Sequence, residues 1–304
     1  MTKEGKLNSI NPSFASRMQN LRASDIREIL KITQRPDVIS FAGGLPASEL
    51  LPAHEMASLA RDLLNEDGVR ALQYAPTEGL QELREAISKR LRDSFSLDRG
   101  PEEVLVVSGS QQGLDLAGKI FLDDGDAVLC ESPTYLGAIS AFRAYQARFV
   151  EVMTDDEGMV PSDLEDRLQS VGRVKFIYVV PDFQNPSGIT ICLAKREALL
   201  DLSYEFDVPI VEDSPYRDLR YSGVSIPAIF TLDQQREGGH VIGLYTFSKL
   251  FCPGMRVGFN IGPPEVVARM THIKEGNVLN TPKWNQDMCL AFLEDMDLEQ
   301  HLEN

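Results

Sequence analysis

No stretch of this 304-residue chain approaches the roughly 20 consecutive apolar residues of a membrane span. Its first residues, Met1-Thr-Lys-Glu-Gly-Lys6, lack the apolar core of a secretory signal, so the expected location is cytoplasmic. Cysteine is sparse: Cys130, Cys192, Cys252 and Cys289 are scattered without Cys-x-x-Cys spacing, which predicts free thiols rather than disulfides or metal ligands. The histidines (His54, His240, His272 and His301) form no ligand cluster, so no metal site is expected. Basic charge is in deficit, with 30 Lys and Arg against 46 Asp and Glu and a net charge of −16. That balance argues against a nucleic-acid partner, because phosphate backbones are held largely by Lys and Arg. Nothing repeats, and no segment is low in complexity.

What is present is an alternation. Short apolar runs bounded by Gly, Pro or Asp occur at 104–107, 127–130, 149–153, 176–180, 209–211, 241–245 and 257–261. Helical patterns lie between them, as at 111–121 and 194–206. Runs of this kind read as buried strands of a largely parallel sheet with helices on both faces, an α/β class. Leu80, Leu83, Ile87 and Leu91 mark an amphipathic helix before the first strand. A further helix is expected at about 24–33, and residues 285–302 read as one helix without a cap.

Chemistry concentrates in Tyr245-Thr-Phe-Ser-Lys249-Leu-Phe-Cys-Pro-Gly-Met-Arg256. A lysine that holds a carbonyl covalently needs a sheltered position and a lowered pKa. Hydroxyls at Thr246 and Ser248 with a guanidinium at Arg256 suit a phosphate. Together they point to pyridoxal phosphate. Ser108-Gly-Ser110-Gln111-Gln112-Gly113 follows a strand and opens a helix, which presents backbone N–H groups to an anion; the same turn also serves plain packing. Asn185-Pro-Ser-Gly188 ends an apolar run, as an amide donor or a simple turn. Asp213, with Tyr216 three residues on, is either a partner for a protonated pyridine nitrogen or a helix cap.

These four signals, in this order, resemble the fold-type I, class I/II pyridoxal-phosphate aminotransferases, most closely the 2-aminoadipate and kynurenine branch. Residues 23–30, 39–46, 72–79, the turn Ser110-Gln111-Gln112, Pro133-Thr-Tyr135, Phe183-Gln-Asn-Pro-Ser-Gly188 and the lysine segment carry the resemblance, which runs from about Ala23 to the last residue. It implies a mostly parallel seven-stranded sheet sandwiched by helices. It also implies an arm over 1–45, a cofactor-binding large domain over 46–284, and the start of a largely missing C-terminal domain over 285–304. In the family that domain carries an arginine for the substrate α-carboxylate.

By resemblance, Lys249 is the covalent anchor and general base, and Asp213 faces the ring nitrogen. Asn185 and Tyr216 bond the ring's phenolic oxygen, and Tyr135 stacks on the ring face. Ser110, Gln111, Gln112, Thr246, Ser248 and Arg256 hold the phosphate. Tyr74 reaches a neighbouring subunit's site, which implies a homodimer with shared sites. Gly44 lets backbone approach the substrate, and Arg27 receives an acidic side chain; an ordinary helix-surface role for Arg27 stays open. The implied activity is amino-group exchange between an amino acid, with glutamate, 2-aminoadipate or another broad-range donor expected, and a 2-oxo acid. Two alternatives keep the same cofactor residues: a decarboxylase, lyase or cyclase on this fold, and a non-catalytic aminotransferase-like cofactor-binding or regulatory protein.

Overall fold

The structure, a computed structural model, describes residues 44–236, 238–296 and 298–303, with 13–15, 17–18 and 37–39. The helix expected near 24–33, and Arg27 with it, lies outside the described residues. In chain order the strands are β1 (Val104–Val107), β2 (Ala127–Glu131), β3 (Arg148–Val152), β4 (Thr154–Asp155), β5 (Gly158–Met159), β6 (Val174–Val179), β7 (Ile210–Asp213), β8 (Val241–Thr246) and β9 (Gly258–Ile261). Seven of them form one sheet in the order β1-β9-β8-β7-β6-β2-β3, while β4 and β5 pair as a small separate hairpin. The five strands from β8 to β3 run parallel, and β9 is antiparallel to both β8 and β1. The small hairpin has no counterpart among the apolar runs; all seven of those runs are strands of the sheet.

Alternate side chains of a strand leave on opposite faces, so each strand feeds two cores. Val106, Leu129, Ile177 and Ile210 join one cluster; Val107, Val128, Phe176 and Val211 join the other. The first face is covered by α2 (Gln81–Phe95), α5 (Pro161–Ser170), α6 (Leu193–Phe206), α7 (Ile229–Gln234) and α9 (Lys283–Asp295). The second is covered by α3 (Ser110–Phe121), α4 (Leu136–Arg143) and α8 (Pro264–Val278). Before them runs α1 (Ala53–Ala71), which is kinked at Asp67, and after them α10 (Leu298–Glu303). In α2 the spacing Leu83, Ile87, Leu91 puts one apolar stripe fully inside, and Ser96 in left-handed geometry stops the helix. Each such side chain contributes about 1.5–3 kcal/mol by leaving water.

The stretch 285–302 is two helices. Met296 is extended, with φ −102° and ψ 139°, and separates α9 from α10. Glu294 and Asp295 stand in the last turn of α9, where the negative end of the helix dipole disfavours carboxylates. Helix α9 packs into the main core through Met288, Cys289 and Phe292. It also braces the lysine loop: Asn285 donates to the Met255 carbonyl (2.7 Å), and Phe292 stacks on Phe251 with ring centres 4.0 Å apart.

The turn before α2 is gripped from inside. Lys274 is fully buried, and its ammonium donates to the carbonyls of Thr77 (2.5 Å) and Val106 (2.6 Å). Burial pushes the Lys274 amine down to about 8. Gln286 accepts the Leu80 N–H (2.8 Å), and Glu78's carbonyl accepts the Val106 N–H (2.8 Å). Lys274→Met keeps the length and removes the donors, leaving two carbonyls without that partner. Urea denaturation is expected to show a loss of about 2–4 kcal/mol, since each orphaned buried polar group costs about 1–3 kcal/mol.

Candidate active site

Parallel strands that end on one edge bring their following turns together. Here β7 ends in Asp213 and β8 in Thr246, β6 leads to Asn185, β2 to Tyr135, and β1 to Ser108-Gly-Ser110. Lys249 follows β8 in a half-buried loop. Its amine is held below its ordinary value, first by desolvation and then by the Arg256 charge. Its Nζ lies 6.0 Å from the centre of the Tyr216 ring. Tyr216's hydroxyl accepts from Asn185 Nδ2 at 3.1 Å, so the loops after β6 and β7 meet there.

Asp213 is 1% exposed. Its Oδ2 accepts the Tyr178 hydroxyl at 2.9 Å, while Oδ1 is buried without a partner. No helix begins directly after it, so its side chain caps none there. Burial, the largest cause, and the neighbouring Glu212 push the carboxyl up to about 7, against the pull of the Tyr178 bond.

The phosphate-side residues gather around Gly109 and Ser110. Gly109, with φ +78°, precedes the first turn of α3, where backbone N–H groups are free. A Cβ there would lie 2.5 Å from Arg256 Nη2, so the guanidinium sits directly over this turn. Arg256 donates to Ser248 Oγ (3.1 Å), which also accepts from Thr246 Oγ1 (3.0 Å). Gly258 lets β9 close against the same point, since a Cβ there would stand 2.5 Å from the Tyr245 carbonyl and 3.0 Å from Ser110 N.

Gln111 and Gln112 are differently engaged. Gln111 Nε2 donates to the Gly137 carbonyl (2.9 Å), and Gln112 Oε1 accepts the Ser108 N–H (2.7 Å), so both brace neighbouring backbone. Gly137 opposes the Tyr135 ring, which its own Cβ would strike. Tyr135's hydroxyl is raised by desolvation and feels Asp213, Tyr216 and Arg256, which places it among the others. Gly44 lines a cavity of about 320 Å³ together with Lys249, Tyr216, Leu50, Phe251 and His301. Tyr74 is 75% exposed and lines a different cavity, beside Arg70 and Lys283, so within this chain it does not meet Lys249.

Three further buried residues support the site. Tyr178 orients Asp213. Gln184 donates to the Pro133 carbonyl (2.8 Å) and so ties the Asn185 loop to the Tyr135 loop. Asp182 gathers three arginines. Tyr178 and Asp182 have no local signal, since their partners lie far along the chain, whereas Gln184 stands inside the Phe183–Gly188 motif without its role being marked there.

A flat heteroaromatic ring bearing an aldehyde and a phosphate fits this set. The orphaned Asp213 Oδ1 needs a buried donor such as a ring N–H, the Lys249 amine is partly depressed, and the Arg256 guanidinium lies over the turn that opens α3, where backbone N–H groups and a positive charge suit a phosphate. The raised Asp213 value has a sign. A folded pKa above the ordinary 3.8 gives stability that is present below about pH 4 and lost as pH rises through about 7. In cofactor-free protein, Asp213→Asn is therefore expected to exceed wild type in stability above pH 7, by a few kcal/mol, with the gain closing toward pH 4. Urea unfolding at several pH values reads it; a pH-independent difference overturns the burial argument.

Comparison with known proteins agrees with this geometry. The family described as aminotransferase class I and II matches residues 36–304. A 2-aminoadipate transaminase of Thermus thermophilus is 43% identical over 289 residues, covering 94% of this chain and 70% of that protein. Aromatic-amino-acid aminotransferase 1 of Thermococcus litoralis is 38% identical, covering 95% and 70%. Among solved structures, the Pyrococcus horikoshii kynurenine aminotransferase with PMP superposes with a TM-score of 0.89 at 38% identity, covering 95% of this chain and 72% of that one. An α-aminoadipate aminotransferase from Thermus thermophilus, bound to N-(5′-phosphopyridoxyl)-L-leucine, gives 0.87 at 40%, covering 95% and 71%. A buried carboxylate, a depressed lysine and an arginine-capped turn at the ends of a parallel sheet thus stand in a chain that belongs to the class I and II aminotransferases, pyridoxal-phosphate enzymes of transamination.

Proposed function

We propose that this chain exchanges amino groups between long-chain, acidic or aromatic amino acids and 2-oxo acids, with glutamate and 2-oxoglutarate as one pair, and that Lys249 is its base. The observation that carries the assignment is the convergence of the depressed Lys249 amine and the unpartnered Asp213 oxygen at one sheet edge. Relatives named for 2-aminoadipate and for aromatic amino acids support the donor range. The cavity beside Lys249 supports the long-chain and aromatic donors, since Leu45, Pro46, Leu50, Leu51 and Phe251 are among its lining.

Pyridoxal phosphate, when bound, supplies an electron sink for charge that develops at the substrate's Cα. The chain's own residues do the rest. Asp213 Oδ1, unpartnered in this structure, would accept the ring N–H and hold positive charge there. Asn185 and Tyr216 would donate to the ring's phenolic oxygen, and Tyr135 would cover one ring face. Arg256, Ser248, Thr246 and the α3 N-terminus at Ser110 fix the phosphate, with Gln111 and Gln112 stiffening the turn. Lys249 would hold the aldehyde carbon of the bound cofactor, and as a free amine it would be placed to take a proton from the substrate Cα and give it back. Its lowered pKa leaves more of the neutral amine available at working pH.

Asn185 and the backbone at Gly44 bind the substrate carboxylate, and Arg27 receives a distal carboxylate. Tyr74, exposed on its own chain, serves the site of a second copy in a homodimer. A decarboxylase or lyase on this fold keeps the same cofactor residues, and amino transfer from glutamate separates the readings.

Borohydride reduction of the cofactor-loaded protein, followed by peptide mapping, is expected to place the pyridoxyl label on Lys249; a label elsewhere sinks the assignment. Arg27→Ala is expected to raise KM for glutamate and 2-aminoadipate by about tenfold or more, the scale of a lost buried charge pair, with leucine nearly untouched. An equal loss for all donors assigns Arg27 to structure.

A further inference from the structure

Behind the ring-facing side chains lies a concentration of buried charge that the chemistry above does not use. Asp182 is 1% exposed, and three guanidinium groups converge on it. Its Oδ1 accepts from Arg196 Nη2 and Arg220 Nη2, both at 2.9 Å. Its Oδ2 accepts from Arg217 Nη1 at 3.1 Å and Arg196 Nη1 at 3.3 Å. Arg196 is itself fixed by three carbonyls, those of Ile191 (2.8 Å), Pro227 (3.0 Å) and Pro181 (2.8 Å). The buried Glu212, on the opposite strand face from Asp213, also feels Arg196 and Arg217.

The connectivity of this cluster is what matters. Asp182 opens the segment that carries Asn185; Arg217 directly follows Tyr216, and Arg220 lies further along the same loop. One carboxylate therefore joins the bases of two loops whose tips meet as the Asn185–Tyr216 bond of 3.1 Å. Both loops are stiffened from the side: the Arg220 guanidinium lies over the Phe183 ring at 4.6 Å, and Arg217 lies over Phe95 at 5.0 Å. Phe183 is left-handed, with φ 53°, a conformation that a bulky residue keeps only when its surroundings hold it. Buried ion clusters are weak contributors to stability compared with apolar packing of the same volume. A cluster of four charged groups at this place is better accounted for by the geometry it fixes.

We propose that Asp182 is a positioning residue of the cofactor site: by clamping Arg217 and Arg220 it sets the distance between Asn185 and Tyr216. The proposal rests on the reading that this pair bonds the ring's phenolic oxygen. Two variants test it in the cofactor-loaded protein. Asp182→Asn keeps the shape and removes the charge. Arg220→Gln acts at the cluster's edge, where the side chain is 16% exposed, and decides alone if Asp182→Asn does not fold.

Four readouts are taken: hydrogen exchange by segment, Tm, cofactor Kd, and the pH midpoint of the cofactor's visible absorption, with Asn185→Ala as reference. The expected result is faster exchange in 182–189 and 214–221 together, with the sheet unchanged and the midpoint moved in the direction that Asn185→Ala moves it. Cofactor Kd is expected to rise about tenfold, the scale on which outer partners act at metal sites. A lower Tm with exchange raised evenly and the midpoint unmoved overturns the proposal and leaves Asp182 as fold support. If Asn185→Ala itself leaves the midpoint unmoved, the reading of Asn185 fails; Asp182 is then judged on exchange, where joint loosening of the two segments supports the clamp and independent behaviour overturns it.

Discussion

A carboxylate at the end of a central strand, sealed from water with one oxygen left unmatched, organises this molecule. Taking Asp213 out of water is costly, and the neighbours offer only the Tyr178 hydroxyl in return. That imbalance sits in the middle of the sheet, where β7 is buried along its length between β6 and β8. The unmatched oxygen belongs to the same edge as Lys249, Tyr216 and the turn under Arg256. A ligand that brings a positive N–H to that edge meets an existing demand, and its phosphate meets the opposite polarity at the start of α3.

The loops on this edge depend on one another more than on the sheet. Gln184 connects the Asn185 loop to Pro133, and Asp182 connects it to the loop of Tyr216. Gln111 reaches from α3 to Gly137 beneath Tyr135. Each tie is a side chain on a backbone carbonyl or a buried ion pair, so each has a preferred direction as well as a strength. Stacked rings alone would leave the same loops free to slide.

Legibility in the sequence follows the distance between partners. The seven strands are readable because buried strands are short apolar runs with marked ends, and Lys249, Asn185 and Asp213 because each stands where such a run stops. The direction of β9 is not readable from its apolar pattern, although only the loop 247–257 joins it to β8, too short for the crossover a parallel pair needs. The break at Met296 is hidden because the apolar spacing continues through it. Tyr178 and Asp182 look like ordinary strand and turn residues, since their partners enter from other strands and loops; nothing local distinguishes an aspartate that will face three arginines. Tyr74 is a site residue by resemblance, and the fold places it away from Lys249, on an exposed part of the chain.

The lysine loop leans on α9 through two contacts, the Phe251–Phe292 stack and the bond from Asn285 to the Met255 carbonyl. A rotation of α9 about its own axis would carry Phe292 sideways and drag Phe251, two residues from the amine, with it. The seating of α9 in the core thus bears on where the Lys249 loop sits, through Phe251 and the Met255 carbonyl rather than through the ring-facing residues.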